Sequence, residues 1–369
     1  MGITKQHVFH MLTIIICLGV QVRLKYTLCP NFFEKEHVVK DFTPKKVDVL
    51  YTWVNGSDPD FVRDYRQFVD PAFTYNSNRY NDNFELLFSL RSLDMYMPFV
   101  NNIILYTNGQ IPHWLNTSIP NLKVIFHKDV FPEPESQLPT FNSRPIEASM
   151  FDIEDLSDIF VYMNDDVFLK GPMHITDYVS KNSGPIFYHT GFQYSMHTKV
   201  EHRQTLKFTF ESVCPAFEPN ARKNTPFKHY ILTHAHRTFH KKLSKQLLEM
   251  TPLAQDLLNH RVRTVKQLDP IHYLYHANQF ISKFCGTNVI EERRVGNYYG
   301  LKNFDTREHL QKVIDRWPIN SYNINDNIID GKPGAMAGRY AFREEMIRRY
   351  PNPSKFERED WYLPSEFLQ

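Results

Sequence analysis

The chain reads as an α/β protein built on a mostly parallel sheet, with a second half richer in helix. Three observations predict this. Apolar, β-rich runs alternate with amphipathic helical stretches from Val47 to Asn164, the pattern of parallel strands joined by helical crossovers. The turn formers and polar residues collect where those runs end, at the carboxyl ends of strands, where open α/β sheets bind ligands. Finally, the run Asp158 to Leu169, D-I-F-V-Y-M-N-D-D-V-F-L, leads straight into Asn164-Asp165-Asp166. That places a pair of hard oxygen donors suited to Mg²⁺ or Mn²⁺ on a diphosphate at a strand's end. Taken alone, the same triplet is also an ordinary solvated turn.

The first strand is V-D-V-L-Y-T-W-V from Val47, closed by the turn formers Asn55-Gly56-Ser57-Asp58-Pro59. Phe84, Leu87, Leu90, Leu93 and Met97 fall at helical spacing before Pro98, which predicts an amphipathic helix over 83–97. Asn102–Thr107 and Leu122–Phe126 read as strands. Pro145–Leu156 reads as a helix opening on proline, before the strand Ile159–Met163. Beyond Lys170 the periodicity is less regular. Tyr178–Ser195 has strand-like pieces, whereas Thr225–Met250 and Ile271–Phe284 read as helical.

Of the 369 residues, 42% are hydrophobic and 14% aromatic, ample for a packed core. The 43 basic and 41 acidic residues leave a net charge of +2, so no overall field draws the protein to nucleic acid. Near the N-terminus an apolar run of about fifteen residues lies between Lys5 and Arg23, short for a bilayer span and either a signal peptide or a short signal-anchor. No small-x-small cleavage site follows Val22, which favours the anchor. Residues 1–7 then form a cytoplasmic tail, 8–22 the membrane segment and 23–46 a stem. The rest is luminal, in a single-pass type II arrangement in the Golgi or another early secretory membrane. In that compartment Asn55 and Asn116 are glycosylation acceptors, and Cys214 and Cys285 are either a disulfide pair or two buried thiols.

Several strings together carry a resemblance. Asp48-Val49-Leu50-Tyr51-Thr52-Trp53-Val54-Asn55-Gly56-Ser57-Asp58 is similar to the opening signature of the Stealth family of sugar-phosphate transferases. A second, longer signature covers Arg79-Tyr80-Asn81-Asp82-Asn83-Phe84-Glu85-Leu86, Ser89-Leu90-Arg91-Ser92, Thr107-Asn108-Gly109-Gln110-Ile111-Pro112, Leu138-Pro139-Thr140-Phe141-Asn142-Ser143 and Asn164-Asp165-Asp166-Val167-Phe168. Weaker third and fourth blocks resemble Lys223-Asn224-Thr225-Pro226 through His260-Arg261-Val262-Arg263, and Asn323 through Asn327 with Tyr350 through Glu357. Asn224 stands where relatives usually carry a histidine, and Asn323 where they carry a cysteine. The resemblance implies a GT-A-like nucleotide-sugar core over 47–170, a helical acceptor and phosphate half over 171–357, and a tail over 358–369. It implies transfer of a hexose 1-phosphate, N-acetylglucosamine 1-phosphate first among them, from a UDP-sugar to a glycan hydroxyl with release of UMP. Ordinary glycosyl transfer with release of UDP, and a silent glycan-binding protein, are the alternatives. A homo-oligomer is compatible with either.

Within that expectation Asp165 and Asp166 are the metal ligands, oriented by Asn164, with Asn325, Asp326 and Asn327 completing the shell or binding sugar. Arg79, Arg91 and Arg263 are the arginines to hold a diphosphate, since guanidinium binds phosphate bidentately; Arg91 is either in the site or buried with an acid. Asp82, Asn83 and Glu85 are site residues or caps of the helix they open. Asp58 is placed beside the nucleoside and Asn142 beside the donor sugar, with Asn224 at the position of the usual histidine. His229 and His234 are the imidazoles for a general base, with Asp82 or Asp326 as carboxylate substitutes.

Overall fold

The computed structural model describes residues 44–71, 79–181, 184–195, 197–213, 229–285 and 290–364. The tail, anchor and most of the stem, together with Cys214 and Asn224, lie outside the described residues, as does the Cys285 side chain. The disulfide expectation therefore lies outside them too. Among the described residues no helix is long and apolar enough to cross a membrane.

The alternating pattern becomes a five-stranded sheet in the order β3-β2-β1-β4-β9. Its strands are β1 (Val47–Thr52), β2 (Val100–Thr107), β3 (Leu122–Phe126), β4 (Ile159–Asn164) and the edge strand β9 (Arg237–His240). The pairs β1–β2, β2–β3 and β1–β4 are parallel, and only β9 runs antiparallel, with Tyr162 opposite Arg237. This is the mostly parallel sheet expected. Along β1, β2 and β4 alternate residues face opposite sides. Leu50, Ile104, Tyr106, Phe160 and Tyr162 pack into one core, and Val49, Tyr51, Ile103, Leu105, Val161 and Met163 into the other. A sheet covered on both faces needs such continuously apolar strands.

The helices that cover it are α1 (Pro59–Phe68), α2 (Glu85–Tyr96), the short α3 (Pro134–Gln137), α4 (Ser143–Ser149), α5 (Glu201–Val213), α6 (Lys241–Glu249), α7 (Pro252–Leu257), α8 (Pro270–Cys285), α9 (Arg307–Asp315) and α10 (Ala335–Arg349). Leu86, Leu87, Phe88, Leu90 and Leu93 of α2 pack with Phe342 and Met346 of α10 in one core, and Leu243 and Leu247 of α6 with Leu274 and Ile281 of α8 in the other.

The second half carries its helices and, beyond them, two smaller sheets. One joins β6 (Val179–Ser180), β7 (Gly184–Gln193), β8 (Tyr230–Leu232) and β10 (Glu291–Arg294). The other joins β5 (Val167–Leu169), β12 (Ser321–Asp326) and β11 (Tyr298–Leu301). Because β5 directly follows the Asp165-Asp166 turn and pairs antiparallel with β12, with Asn323 opposite Val167, the end of β12 is carried to the same place as the end of β4.

Candidate functional site

At the carboxyl ends of β1, β2 and β4 opens a crevice of about 310 Å³. Its walls include Arg79, Glu85, Asn142, Glu147, Asn164, Asp165, Asp166, His234, Arg237, Arg263, Asn325 and Asp326, with Asp269, His272 and His202 at one end. Both halves of the chain build it.

The acidic wall comes from three elements. Asp165 and Asp166 sit in the turn between β4 and β5, Glu85 opens α2, and Asp326 ends β12. Asn83 ties two of them together, donating from Nδ2 to Glu85 Oε1 at 2.8 Å and to Asp326 Oδ2 at 3.3 Å. Enclosure raises Glu85, Asp165 and Asp166, and Asp82 beside them. Glu85 is pushed up to about 8 by burial and then by the charge of Asp82, while burial takes Asp82 and Asp166 to about 6. Asp165 goes well above the usual range through burial and the charges of Asp166, Glu85 and Asp82. Such mutual repulsion is what a bound cation relieves.

The Asn164 and Asp166 Oδ1 atoms are buried without hydrogen-bond partners, an orphaned oxygen pair where donors for a hard cation belong. Among the described residues no three His, Cys, Asp or Glu side chains form a ready-made ligand shell. The residues fit a hard divalent cation, which Asp165 and Asp166 would hold and whose charge would relieve their mutual repulsion.

Basic residues line the same crevice. Asn142 caps α4 by accepting from Arg144 N at 3.2 Å. Its amide donates to the carbonyls of His260 and Val262, each at 3.3 Å, and to Gln267 Oε1 at 3.1 Å. Phe141 N donates to Arg261 O at 2.8 Å. The segment 260–264 is thereby laced along the loop before α4, which brings Arg263 to the crevice, where it donates to Ser143 Oγ. Asn142 thus lines the crevice but spends its amide on this lacing rather than leaving it for a sugar. Arg144 is buried and satisfied by Thr264 O, Gln267 Oε1 and Thr205 Oγ1. Among the described residues Arg79, Arg237 and Arg263 have no ion-pair partner within reach. Burial and then the nearby Arg263 lower Arg79, against the weaker pull of Glu201.

The other expected site residues fall as follows. Asp58 is the N-cap of α1, accepting from Asp60 N at 2.8 Å and Phe61 N at 3.2 Å, and does not line the crevice. Asp82 accepts from Phe84 N at 2.9 Å beside the crevice. Asn325 lines it and donates to Asn327 Oδ1 at 3.0 Å, while Asn327 turns to the Tyr298 hydroxyl at 3.4 Å. Arg91 is a correction: it is buried on α2 and bound to Glu357 and the Tyr350 carbonyl, because its helix face points to the core and the C-terminal segment, away from the strand ends.

His229 packs its ring against Tyr194 and Phe210 and does not line the crevice, whereas His234 does. Enclosure by the walls and the charge of Arg237 push the His234 imidazole well below the usual histidine range, although its ring is open to the crevice, so it is neutral near pH 7. Asn55 and Asn116 each accept from the serine two residues on, at 2.9 and 3.0 Å, and both are partly accessible.

Glu147, Arg237, Asp269, His272 and His202 were not singled out by the sequence. Glu147 is pushed up to about 7, by burial and the charge of Asp269 against the pull of Arg237, Arg263 and Arg144. The Asp269–His272 contact of 3.1 Å opens α8. Its signal was D-P-I-H, an acid at the helix start with an imidazole three residues on.

Residues 79–187 match Stealth protein CR2, conserved region 2, and residues 45–70 match Stealth protein CR1, conserved region 1. The chain thus carries the first two conserved regions of Stealth proteins. An exopolysaccharide phosphotransferase of Streptomyces coelicolor is 51% identical over 126 residues, which is 33% of this chain and 21% of that protein. A second from the same organism is 30% identical over 339 residues, 85% of this chain and 53% of that protein. The N-acetylglucosamine-1-phosphotransferase subunits alpha/beta of Mus musculus are 43% identical over 115 residues, 31% of this chain and 9% of that one. The chain therefore spans about half or less of the length of these relatives. The galactosyltransferase LgtC, solved with donor and acceptor sugar analogues, aligns at a TM-score of 0.41 and 10% identity over 87% of this chain and 99% of that one.

Proposed function

We propose that this protein transfers a hexose 1-phosphate, N-acetylglucosamine 1-phosphate as first choice, from a UDP-sugar to a hydroxyl of a glycan, releasing UMP. One observation carries the reading: a carboxylate pair at the end of β4 and three arginines without ion-pair partners among the described residues line a single crevice. That is the charge arrangement a diphosphate between a cation and guanidinium groups requires. The relatives' names, exopolysaccharide phosphotransferase, support the reaction class and a glycan acceptor.

In this reading Arg79 and Arg263 hold the diphosphate oxygens from the loop wall. A divalent cation, Mg²⁺ or Mn²⁺, bound at Asp165 and Asp166 supplies neutralisation of the diphosphate charge. His234, neutral near pH 7, takes the proton of the acceptor hydroxyl on a ring nitrogen. The acceptor oxygen forms its bond to the sugar-bearing phosphorus while the phosphoanhydride bond to UMP breaks, so the sugar phosphate moves intact and UMP leaves. Residues 8–22 are proposed as the signal-anchor that holds this chemistry in the lumen of an early secretory membrane. Full protease protection in sealed microsomes, with resistance to carbonate extraction, is the expected behaviour.

The deciding experiment incubates the full chain in detergent with a panel of UDP-sugars, glycan acceptors and Mg²⁺ or Mn²⁺, and identifies the nucleotide released. UMP with a phosphodiester product is expected. UDP would make the protein a glycosyltransferase, and donor binding without turnover would make it a glycan-binding protein.

A further inference from the structure

Arg237 stands on the antiparallel edge strand β9, directly opposite Tyr162 of β4, two residues before the Asn164-Asp165-Asp166 turn. Its side chain lines the crevice together with Glu147, Asp166 and His234, and with Arg79 and Arg263. Its Nε is buried and has no hydrogen-bond partner, and no carboxylate among the described residues lies within ion-pair distance of the guanidinium. A guanidinium has donors in a fixed planar fork and never loses its charge near neutral pH, so a buried, unanswered donor on it is destabilising until an acceptor arrives. The contrast with Arg144, Arg91 and Arg349 is direct, since each of those is satisfied by protein carbonyls or carboxylates.

We propose that Arg237 is a catalytic residue that binds the non-bridging oxygens of the phosphoryl group in transfer, at the side from which the acceptor enters. The assignment rests on the phosphotransfer reading above and goes beyond it in dividing labour among the arginines. His234, three residues earlier, and Asp166 line the same space, and both feel the charge of Arg237. A cation beside them meets the oxygens of the phosphorus that receives the new bond, where negative charge gathers in the transition state. Arg79 and Arg263 hold the donor in the ground state as well, so their loss weakens donor binding. Loss of Arg237 removes an interaction realised mainly in the transition state, so the chemical step slows while donor affinity persists. The Tyr162 hydroxyl, which reaches Thr52 Oγ1 at 3.1 Å and Glu147 Oε1 at 3.5 Å, holds the floor beneath it.

The test compares wild type, Arg237→Lys and Arg237→Ala in the full chain by steady-state kinetics, thermal melting and rescue with millimolar guanidinium ion. A fall in kcat of about 10²–10³-fold is expected for Arg237→Ala, with donor KM held within about twofold. Guanidinium should restore part of it where ammonium does not, and Arg237→Lys should fall between. The melting midpoint of Arg237→Ala should be unchanged or higher, because an uncompensated charge has been removed. A midpoint lowered by several degrees without rescue would make Arg237 structural and overturn the assignment. So would a raised KM at unchanged kcat, which would make it a donor-holding group. Release of UDP by the wild type is a separate result: it overturns the phosphotransfer reading itself, and the assignment with it.

Discussion

Arg91 and Glu357 form a bidentate ion pair between positions 266 apart in the chain, with Nε–Oε1 at 2.9 Å and Nη2–Oε2 at 2.6 Å, both side chains almost fully buried. The pair is completed by its surroundings. Arg91 Nη1 donates to Tyr350 O at 3.0 Å, and Glu357 Oε1 accepts from Ser354 N at 2.6 Å and Ser354 Oγ at 3.0 Å. It clamps the segment after α10 onto α2, the helix whose first turn carries Glu85. Removing one partner strands the other charge in the core, so Arg91→Met or Glu357→Met should lower stability by about 3–5 kcal/mol, while replacing both together should recover much of it. Chemical denaturation of the two single variants and the double variant measures this. Donor KM per folded molecule should not change. A KM effect at intact stability would instead return Arg91 to the crevice.

The acid pair behaves in the opposite way. The Asp166 Oδ1 atom has no protein partner, and both carboxyls are held above their ordinary range. The double variant Asp165→Ala/Asp166→Ala should therefore lose nucleotide release by at least about 10²-fold while melting, in chelator, no lower than wild type. It should also lose any rise in melting midpoint on adding Mn²⁺. A variant that melts lower in chelator yet keeps its response to Mn²⁺ would place the cation elsewhere.

How far the sequence could reach follows from where each residue gets its neighbours. Asp165 and Asp166 were legible because an apolar strand run leads into them, and a strand's carboxyl end is a local property. Asp58, expected beside the nucleoside, is instead the cap of α1, a role that the local string Asp58-Pro59-Asp60 already carried. Arg91 was half legible: helical spacing put it on the buried face of α2, but the acid that answers it lies at Glu357, beyond any local pattern. Arg237 was hidden because β9 joins the sheet as an antiparallel edge from the second half, and a four-residue strand, R-T-F-H, is too short to announce a pairing with β4. The stretch containing it was expected to be largely helical. It divides into β8, β9 and α6 because Thr238 and Phe239 bury beside β4.

Two histidines five residues apart have different fates. His229 lies between Tyr194 and Phe210, whereas His234 opens onto the crevice with its imidazole kept neutral by enclosure and by Arg237. If His234 is the general base, His234→Gln should lower kcat by about 10²–10⁴-fold with little change in melting. His229→Gln should act the other way, lowering the midpoint through lost aromatic packing and leaving kcat within about threefold. Equal kinetic losses in both variants would argue against either as the base and turn attention to Glu147.

The raised carboxyls tie stability to pH and to metal with a definite sign. Glu85 near 8, with Asp82 and Asp166 near 6, all sit above their unfolded values, which lie around 4. Between about pH 4 and 8 the folded chain therefore holds protons that the unfolded chain has released. The stabilisation is complete below the unfolded values and is lost as pH rises through the folded ones. In chelator, the melting midpoint of the wild type relative to a Glu85→Gln variant should therefore fall from about pH 5.5 to about pH 8, a difference in which the buried histidines, lowered by burial and opposite in sign, cancel. A divalent cation binds the deprotonated carboxylates and displaces those protons, so its stabilisation must grow across the same window. Melts in chelator and in Mn²⁺ at both pH values test the linkage: the Mn²⁺ increment should be larger at the higher pH. An equal increment at both would mean that the cation does not bind among these acids.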